Sequence, residues 1–272
     1  SEATTFVPSE TLTANILIVA GGGASGGAWN GGNSASGGGG AGGLLYETGI
    51  SMNAGTYTVT VGEGGDALSP YSNTGAQGNN GSDSVLSETT WGTATAIGGG
   101  GSGATGQNAV NTGGSGGGAG GGLSAGSGKT GGTAQQGDSN GIDGFGNDGG
   151  SSNTSGNGPG GGGAGGAGAI GTTGAGKAVS IRTGASVTYA TGGAYAEGHW
   201  GQGTAGVANT GDGGGASGYN NRGVPGGSGI IIISYISTTE KATGGTITSY
   251  VDGSDTYQVH TFLSSRAKHT IT

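Results

Sequence analysis

Cysteine is absent from the 272 residues, proline occurs four times, and only 8% of the residues carry charge. Each shortage removes a class of explanation. Without cysteine there are no disulfide staples and no thiolate metal sites. With so little proline, and no strict glycine at every third position, a collagen triple helix is excluded. The charge fraction is far below the roughly 25% of ordinary globular domains, and the Pro, Glu and Lys that mark most disordered chains are scarce too. A formal net charge of −8 is spread thinly. It offers no basic stripe, so nucleic acid is not an expected partner. The run IIIISYI at residues 230–236 is far short of the roughly 20 apolar residues of a membrane-spanning helix, and membrane insertion is not expected.

What the chain has instead is glycine, 77 residues of it. Runs of Gly, Ala and Ser fill residues 37–43, 98–101, 113–122 and 160–168. Composition alone falls in the low-complexity range. Fixing glycine also costs more backbone entropy than fixing any other residue, so an ordered run needs compensation. A polyproline-II-like helix supplies it. Such a helix has three residues per turn, about 3.1 Å rise and no internal hydrogen bonds, so every N–H and C=O points outward. Proline would forfeit the donor, whereas glycine keeps it. Packed side by side, glycine helices can pair their backbone groups in all directions, and a ten-residue run would span roughly 31 Å.

Between the runs lie strand-like blocks. Residues 16–19 (ILIV) and 230–236 (IIIISYI) are apolar on both faces and read as buried strands. They bracket nearly all of the glycine, and they are expected to pair or stack and so close its base. TYTVTVG at 56–62 alternates with period two after the turn signal Asn53-Ala54-Gly55. Weaker strands are expected at 44–49, 94–101 and 186–193. No segment has a credible 3.6-residue apolar period. The fold class expected is therefore mainly β and irregular: a polyglycine-II helix lattice, or sandwich, flanked by short β-strands with almost no α-helix. Residues 1–237 form the glycine-rich body in this reading, and 238–272 a small C-terminal β module.

No motif supplies chemistry. SAGSGKT at 124–130 lacks the glycine a phosphate-binding loop needs, since that position is Leu123. The spacing of Gly98, Gly100 and Gly103 fits a dinucleotide fingerprint only as so much glycine must. Asp138, Asn140, Asp143 and Asp148 fit no calcium loop and read as a polar, solvated turn region. His199, His260 and His269 have no clustered carboxylates. The expectation is no enzyme, no metal and no cofactor.

The stretches ANILIVAGGGASGG, GGGGAGGLLYETGISMNAGTYTVTVGEGG, TAIGGGG, GGSGGGAGGG, GASVTYATGG and GVPGGSGIIIISYI cover most of residues 14–236. In their order they resemble the glycine-rich domain of phage tail-fibre and tail-associated proteins. More loosely, they are similar in style to the polyglycine-II tip adhesins of T-even-type long tail fibres. The resemblance implies a rigid body whose distal loops touch a host receptor, a surface glycan or an outer-membrane protein, and an extracellular location on a virion tail fibre or a cell-surface filament. Candidate contacts in the loops are Trp29, Asn30, Tyr71, Phe145, Tyr195, His199, Trp200, Tyr219, Asn220 and Arg222. Rigid aromatics beside adaptable polar groups are what binding loops favour.

ATGGTITSYVDGSDTYQVHTFLSS at 242–265 resembles the lead-in to another such unit, and Thr261-Phe262-Leu263 matches Thr5-Phe6-Val7 in type. Strands are expected at 246–251 and 256–263 around the Asp252-Gly253 turn, with Tyr257, Val259 and Thr261 on one face and Gln258, His260 and Phe262 on the other. Two strands alone are too few for stability. The module is therefore expected to dock on the N-terminal region of a neighbouring copy, through Phe6, Ile16, Ile18, Tyr257, Val259 and Phe262. That contact would make the alternative to the adhesin a head-to-tail filament subunit.

Overall fold

A computed structural model describes residues 4–28, 35–67, 76–105, 111–121, 129–153, 156–196 and 201–264. Among them there is no helix, and thirteen strands pair antiparallel throughout. The first sheet runs in the order β11 (Ala242–Thr243), β1 (Thr4–Pro8), β4 (Tyr57–Thr60), β5 (Ser84–Glu88), β6 (Gly92–Ala96). The second runs β12 (Thr246–Asp252), β13 (Asp255–Leu263), β10 (Ile230–Ile236), β2 (Leu12–Val19), β3 (Leu44–Met52), β7 (Gly144–Phe145). A hairpin of β8 (Lys177–Val179) and β9 (Val187–Tyr189) stands apart.

The two apolar blocks pair as expected, Ile230 opposite Val19 and Ile233 opposite Ile16. Both of their faces are covered. Ile16, Ile18, Ile231, Ile233 and Phe262 pack with Phe6, Tyr57, Val59 and Leu86 of the first sheet. On the opposite face Leu17, Val19, Ile230, Ile232 and Val259 pack with Val179, Ile181 and Tyr189 around the small hairpin. That explains why the sequence of these strands is continuously apolar rather than alternating.

From this base the glycine rows extend. Their hydrogen bonds repeat every third residue, the period of a polyproline-II-type helix. In the row 20–28, the N–H groups of Gly21, Ala24 and Gly27 donate to the carbonyls of Ser82, Asn79 and Ala76. Those of Gly22, Ser25 and Ala28 donate to Gly227, Val224 and Asn221. Ala20 and Gly23 donate to Gly43 and Gly40. At the next step of that third series a hydroxyl intervenes: Gly26 N–H donates to Ser102 Oγ at 2.8 Å, and Ser102 Oγ–H donates to Gly37 O at 2.5 Å. A strand would reach only two neighbours; this row reaches three through its amides alone.

Row 35–43 is the most enclosed. Ala35, Gly38 and Ala41 donate to Gly156, Pro159 and Gly162 of a parallel row. Ser36, Gly39 and Gly42 donate to Ser217, Gly214 and Gly211, and Gly37, Gly40 and Gly43 to Gly103, Gly100 and Ile97, both antiparallel. Its carbonyls accept from Gly23, Ser115, Gly118, Gly121 and Gly193 on still other rows. Every residue from 35 to 45 is buried. Such approach leaves no room for side chains: a Cβ built on Gly39, Gly40 or Gly161 would lie under 3.0 Å from a neighbouring carbonyl oxygen. The peptide groups form the core here, with Ala24, Ala35 and Ala41 supplying fully buried methyls where they fit.

Two expectations are corrected. The run at 160–168 is not one straight element. Gly160–Gly162 bond in the lattice, but Gly163 N–H donates to Gly166 O and Gly160 N–H to Ala169 O, so the chain turns back on itself. Buried Ala164 marks the bend, packed into the second apolar cluster and donating to Ala190 O. The C-terminal hairpin forms with the expected strands and faces, but it docks on its own chain. Strand β13 pairs with β10 from Ile230–Leu263 to Ile236–Tyr257, and β11 pairs with β1. The connection across residues 237–241 is short, so pairing in cis closes a small loop at little entropic cost.

Candidate functional site

The rows that begin at the sheets all lead away from them. Row 20–28 continues β2, row 35–43 enters β3, and row 97–105 follows β6. At their far ends the described flanks of successive connections bond to one another. Ala28 N–H donates to Asn221 O, Gly27 to Ala76, Thr105 to Gly27, Gly121 to Ala35, Ala35 to Gly156, and Ala196 and Gly158 to each other. Chain returning to the base alternates with chain returning to this end, so the described flanks of the connections gather opposite the sheets.

Tyr195, Tyr219, Asn220 and Arg222 are at this end. Ala216 N–H donates to Ala194 O and Gly218 N–H to Gly201 O, which sets the rows carrying them side by side. Residues 218–221 form a turn closed by Asn221 N–H to Gly218 O at 3.1 Å, with exposed Asn220 in the left-handed region at φ 58°. Asparagine tolerates that conformation well. Asn221 Nδ2 donates to Tyr219 O at 3.1 Å. The carbonyl of Arg222 accepts from Ser217 Oγ at 2.6 Å and Gln202 Nε2 at 2.8 Å. Backbone and small polar groups are thus spent on fixing the turn. The half-buried rings of Tyr195 and Tyr219 and the exposed Arg222 side chain are carried at its surface. Trp29, Asn30, Tyr71, His199 and Trp200 lie outside the described residues.

Phe145 does not join them. It sits at the opposite end, opposite Leu44 at the edge of the second sheet, with Lys177 Nζ 3.7 Å from its ring centroid. Its glycine neighbours in sequence suggested a loop, but an aromatic at the sheet edge covers apolar surface and holds a cation. The assembly candidates are likewise consumed within the chain. Phe6, Ile16, Ile18 and Phe262 are buried in one core and Val259 in the other. Tyr257 stacks on Tyr250, centroids 5.0 Å apart and planes 7° from parallel.

Sequence reasoning passed over a polar relay that ties the hairpin down. His260 Nδ1 lies 2.8 Å from the Gly244 carbonyl, which can only accept, so Nδ1 carries the proton. Nε2 then accepts from the Tyr235 hydroxyl at 3.2 Å, and that oxygen accepts the N–H groups of Lys241 and Ala242 at 2.9 and 3.1 Å. Phe6 meets the imidazole edge-on. Burial, the largest influence, pushes the His260 pKa down, with Gly244 and the charge of Glu240 opposing it. Nothing in the spacing of His260 gave this away, because its partners come from β10 and the Gly244 corner. Glu88 is another perturbed group. Its carboxylate takes the Thr89 and Thr90 hydroxyls and the N–H groups of Thr90 and Trp91, which hold its pKa down to about 2.

Among the described residues no three His, Cys, Asp or Glu side chains gather closely enough to hold a metal ion. The distal end carries rings, amides and a guanidinium, groups capable of stacking and hydrogen bonding. No curated protein matches the chain. The model of the glycine-rich domain matches residues 1–236, up to the last residue of β10 and short of the appended β11–β13, and the chain belongs to that family.

Proposed function

We propose that this chain is a non-enzymatic extracellular adhesion module of the phage tail-fibre kind, which contacts a host-surface glycan or outer-membrane protein through the connections at the far end of its lattice. The observation that carries the reading is the gathering of the described flanks of those connections at one end, with Tyr195, Tyr219, Asn220 and Arg222 among them. Loops positioned by a rigid scaffold are where binding residues concentrate. The most enclosed row, 35–43, carries no side chain larger than that of serine, which leaves larger side chains to the connections. Head-to-tail filament growth through the terminal strands has less support, because those strands are paired in cis.

Adsorption of the purified chain to bacterial envelope preparations tests this. Replacing Tyr195, Tyr219 and Arg222 together with Ala should weaken adsorption roughly tenfold or more, as loss of interface anchors does, with thermal unfolding unchanged. Phe145→Ala, at the other end, should leave adsorption as it was. Equal adsorption by the triple variant would refute the distal surface as the site.

A further inference from the structure

The appended hairpin leaves one sheet edge open. Strand β12 ends the order of the second sheet, and no described residue pairs with its outer side. The other edges are short or irregular: β8 and β9 have three residues each, and past β7 strand β3 carries a register shift with Gly49 at φ 75°. Strands β7 and β11 have two residues each. Beside β6, Ser139 Oγ accepts from Thr95 N–H at 3.0 Å and Gln136 Oε1 from Ile97 N–H at 2.8 Å. Strand β12 has seven residues, TITSYVD, without proline, lysine or a bulge in its register with β13. Its one charge is the final Asp252. Natural edges of this length usually carry such protection.

The phase of its free groups follows from the turn. Asp252 opposes Asp255 across a two-residue Gly253-Ser254 loop, with Gly253 at φ 63° in the first central position, as a type II′ turn requires. Asp252 and Asp255 therefore form the closing hydrogen-bonded pair. Pairs then alternate, so Asp252, Tyr250, Thr248 and Thr246 bond inward to β13, while Val251, Ser249 and Ile247 turn their N–H and C=O outward.

We infer that this edge pairs with the same edge of a second copy, antiparallel and two-fold symmetric about Ser249. In that register Ser249 faces Ser249, and Ile247 faces Val251 of the other copy twice over. All three residues with outward groups become hydrogen-bonded pairs, giving about six bonds. The apolar pairs cover Val251, which is 68% exposed in the single chain. Each Asp252 falls opposite Thr246, and the two Asp252 residues stand roughly 20 Å apart along the strands, so like charges do not meet. A two-fold contact of this kind closes on itself, giving a dimer rather than a fibre. Its small area places it among weak, concentration-dependent interfaces.

The absence of native cysteine makes the test clean. Sedimentation of the full chain at rising micromolar concentration should show monomer–dimer exchange. Ser249→Pro removes an outward N–H and leaves the β13 ladder intact, since proline is accepted on the open side of edge strands. It should raise the dimer dissociation constant at least ~10-fold without lowering thermal stability much. In the proposed register the Ser249 Cα atoms are about 5.5 Å apart, within disulfide reach, whereas the Thr246 Cα atoms are roughly 20 Å apart. Ser249→Cys should therefore crosslink on oxidation or with a short bifunctional thiol reagent, and Thr246→Cys should not. A chain that stays monomeric at high micromolar concentration, or a dimer indifferent to Ser249→Pro and crosslinked equally through both cysteines, would overturn the inference.

Discussion

The lattice and the sheet base of this molecule solve burial in opposite ways. In the base, side chains do the packing: Ile232 and Leu17 lie between layers, and the backbone bonds chiefly to its strand neighbours. In the lattice the backbone does the packing, and row 35–43 bonds to neighbours on every side with no side chain larger than that of serine. A side-chain core can relax by rotamer changes when one of its members shrinks. A peptide core cannot relax when a member grows, because its neighbours are carbonyls held by their own hydrogen bonds. Lattice positions should therefore be more sensitive to an added side chain than the base is to one removed carbon.

The largest contrast is expected between Gly39→Val and Ile232→Val, with thermal denaturation followed by circular dichroism. A Cβ at Gly39 would collide with Gly23 O and the Ala24 carbonyl carbon. The row must then separate from its partners, and we expect destabilisation beyond about 4 kcal/mol, the range of exceptional mutations. Ile232→Val removes one methylene and should cost about 0.5–1.5 kcal/mol. Equal costs would mean that the lattice yields as readily as the base.

A smaller effect separates the two regions by pH. His260 is held neutral in the base, with its pKa below the ordinary 6.5. The unfolded chain binds the extra proton first. The stability contributed by the neutral ring is present above about pH 6.5 and is lost as pH falls through the lowered folded value. Melting temperature should therefore drop on acidification from pH 7 to 5, and His260→Gln should flatten that slope. Amides of row 35–43, which carry no titrating group, should keep their hydrogen-exchange protection over the same range while those of β13 lose theirs.

Smallest is Glu88→Gln in the turn between β5 and β6. The charged carboxylate gathers four donors from Thr89, Thr90 and Trp91, and its pKa is lowered to about 2. Its contribution is present above the ordinary carboxylate range and disappears as pH falls through about 2. The variant should melt slightly below the parent at pH 7, and the gap should close in strong acid. A gap that persists there would put the turn's stability in something other than the charge.

Much of this was legible in the sequence, for reasons that also explain what was not. Residues 16–19 and 230–236 announce a two-sided burial because no polar residue interrupts them until Ser234. Asp252-Gly253 fixes the hairpin, and the period of two assigns Val259 and Phe262 to opposite faces. The glycine runs declared that something must approach them closely. They did not declare what, since a row without side chains carries no code for its neighbour. Only occasional serines mark a junction, such as Ser102 between Gly26 and Gly37. The bend at Ala164 was hidden for the same reason. Phe145 was misplaced because a loop and a two-residue edge strand read alike when both neighbours are glycine. The choice of β13 to pair in cis depends on the reach of residues 237–241, a property of three-dimensional closure rather than of composition. At the distal end, the sequence could name Tyr195, Tyr219 and Arg222, but their adjacency comes from the row order.

The three-residue repeat of row 35–43 has a mechanical consequence. Its hydrogen bonds point across the rows, while the described flanks of the distal connections and the sheets lie at the two ends. Tension between those ends runs along each row and perpendicular to the bonds, so it loads them in shear, many at once, instead of peeling them one after another. A row cannot lengthen much either, because a helix rising about 3.1 Å per residue is already close to the extended limit of roughly 3.3–3.6 Å. The lattice thus behaves as an inextensible strut: a pull on the far-end loops reaches the base almost undiminished.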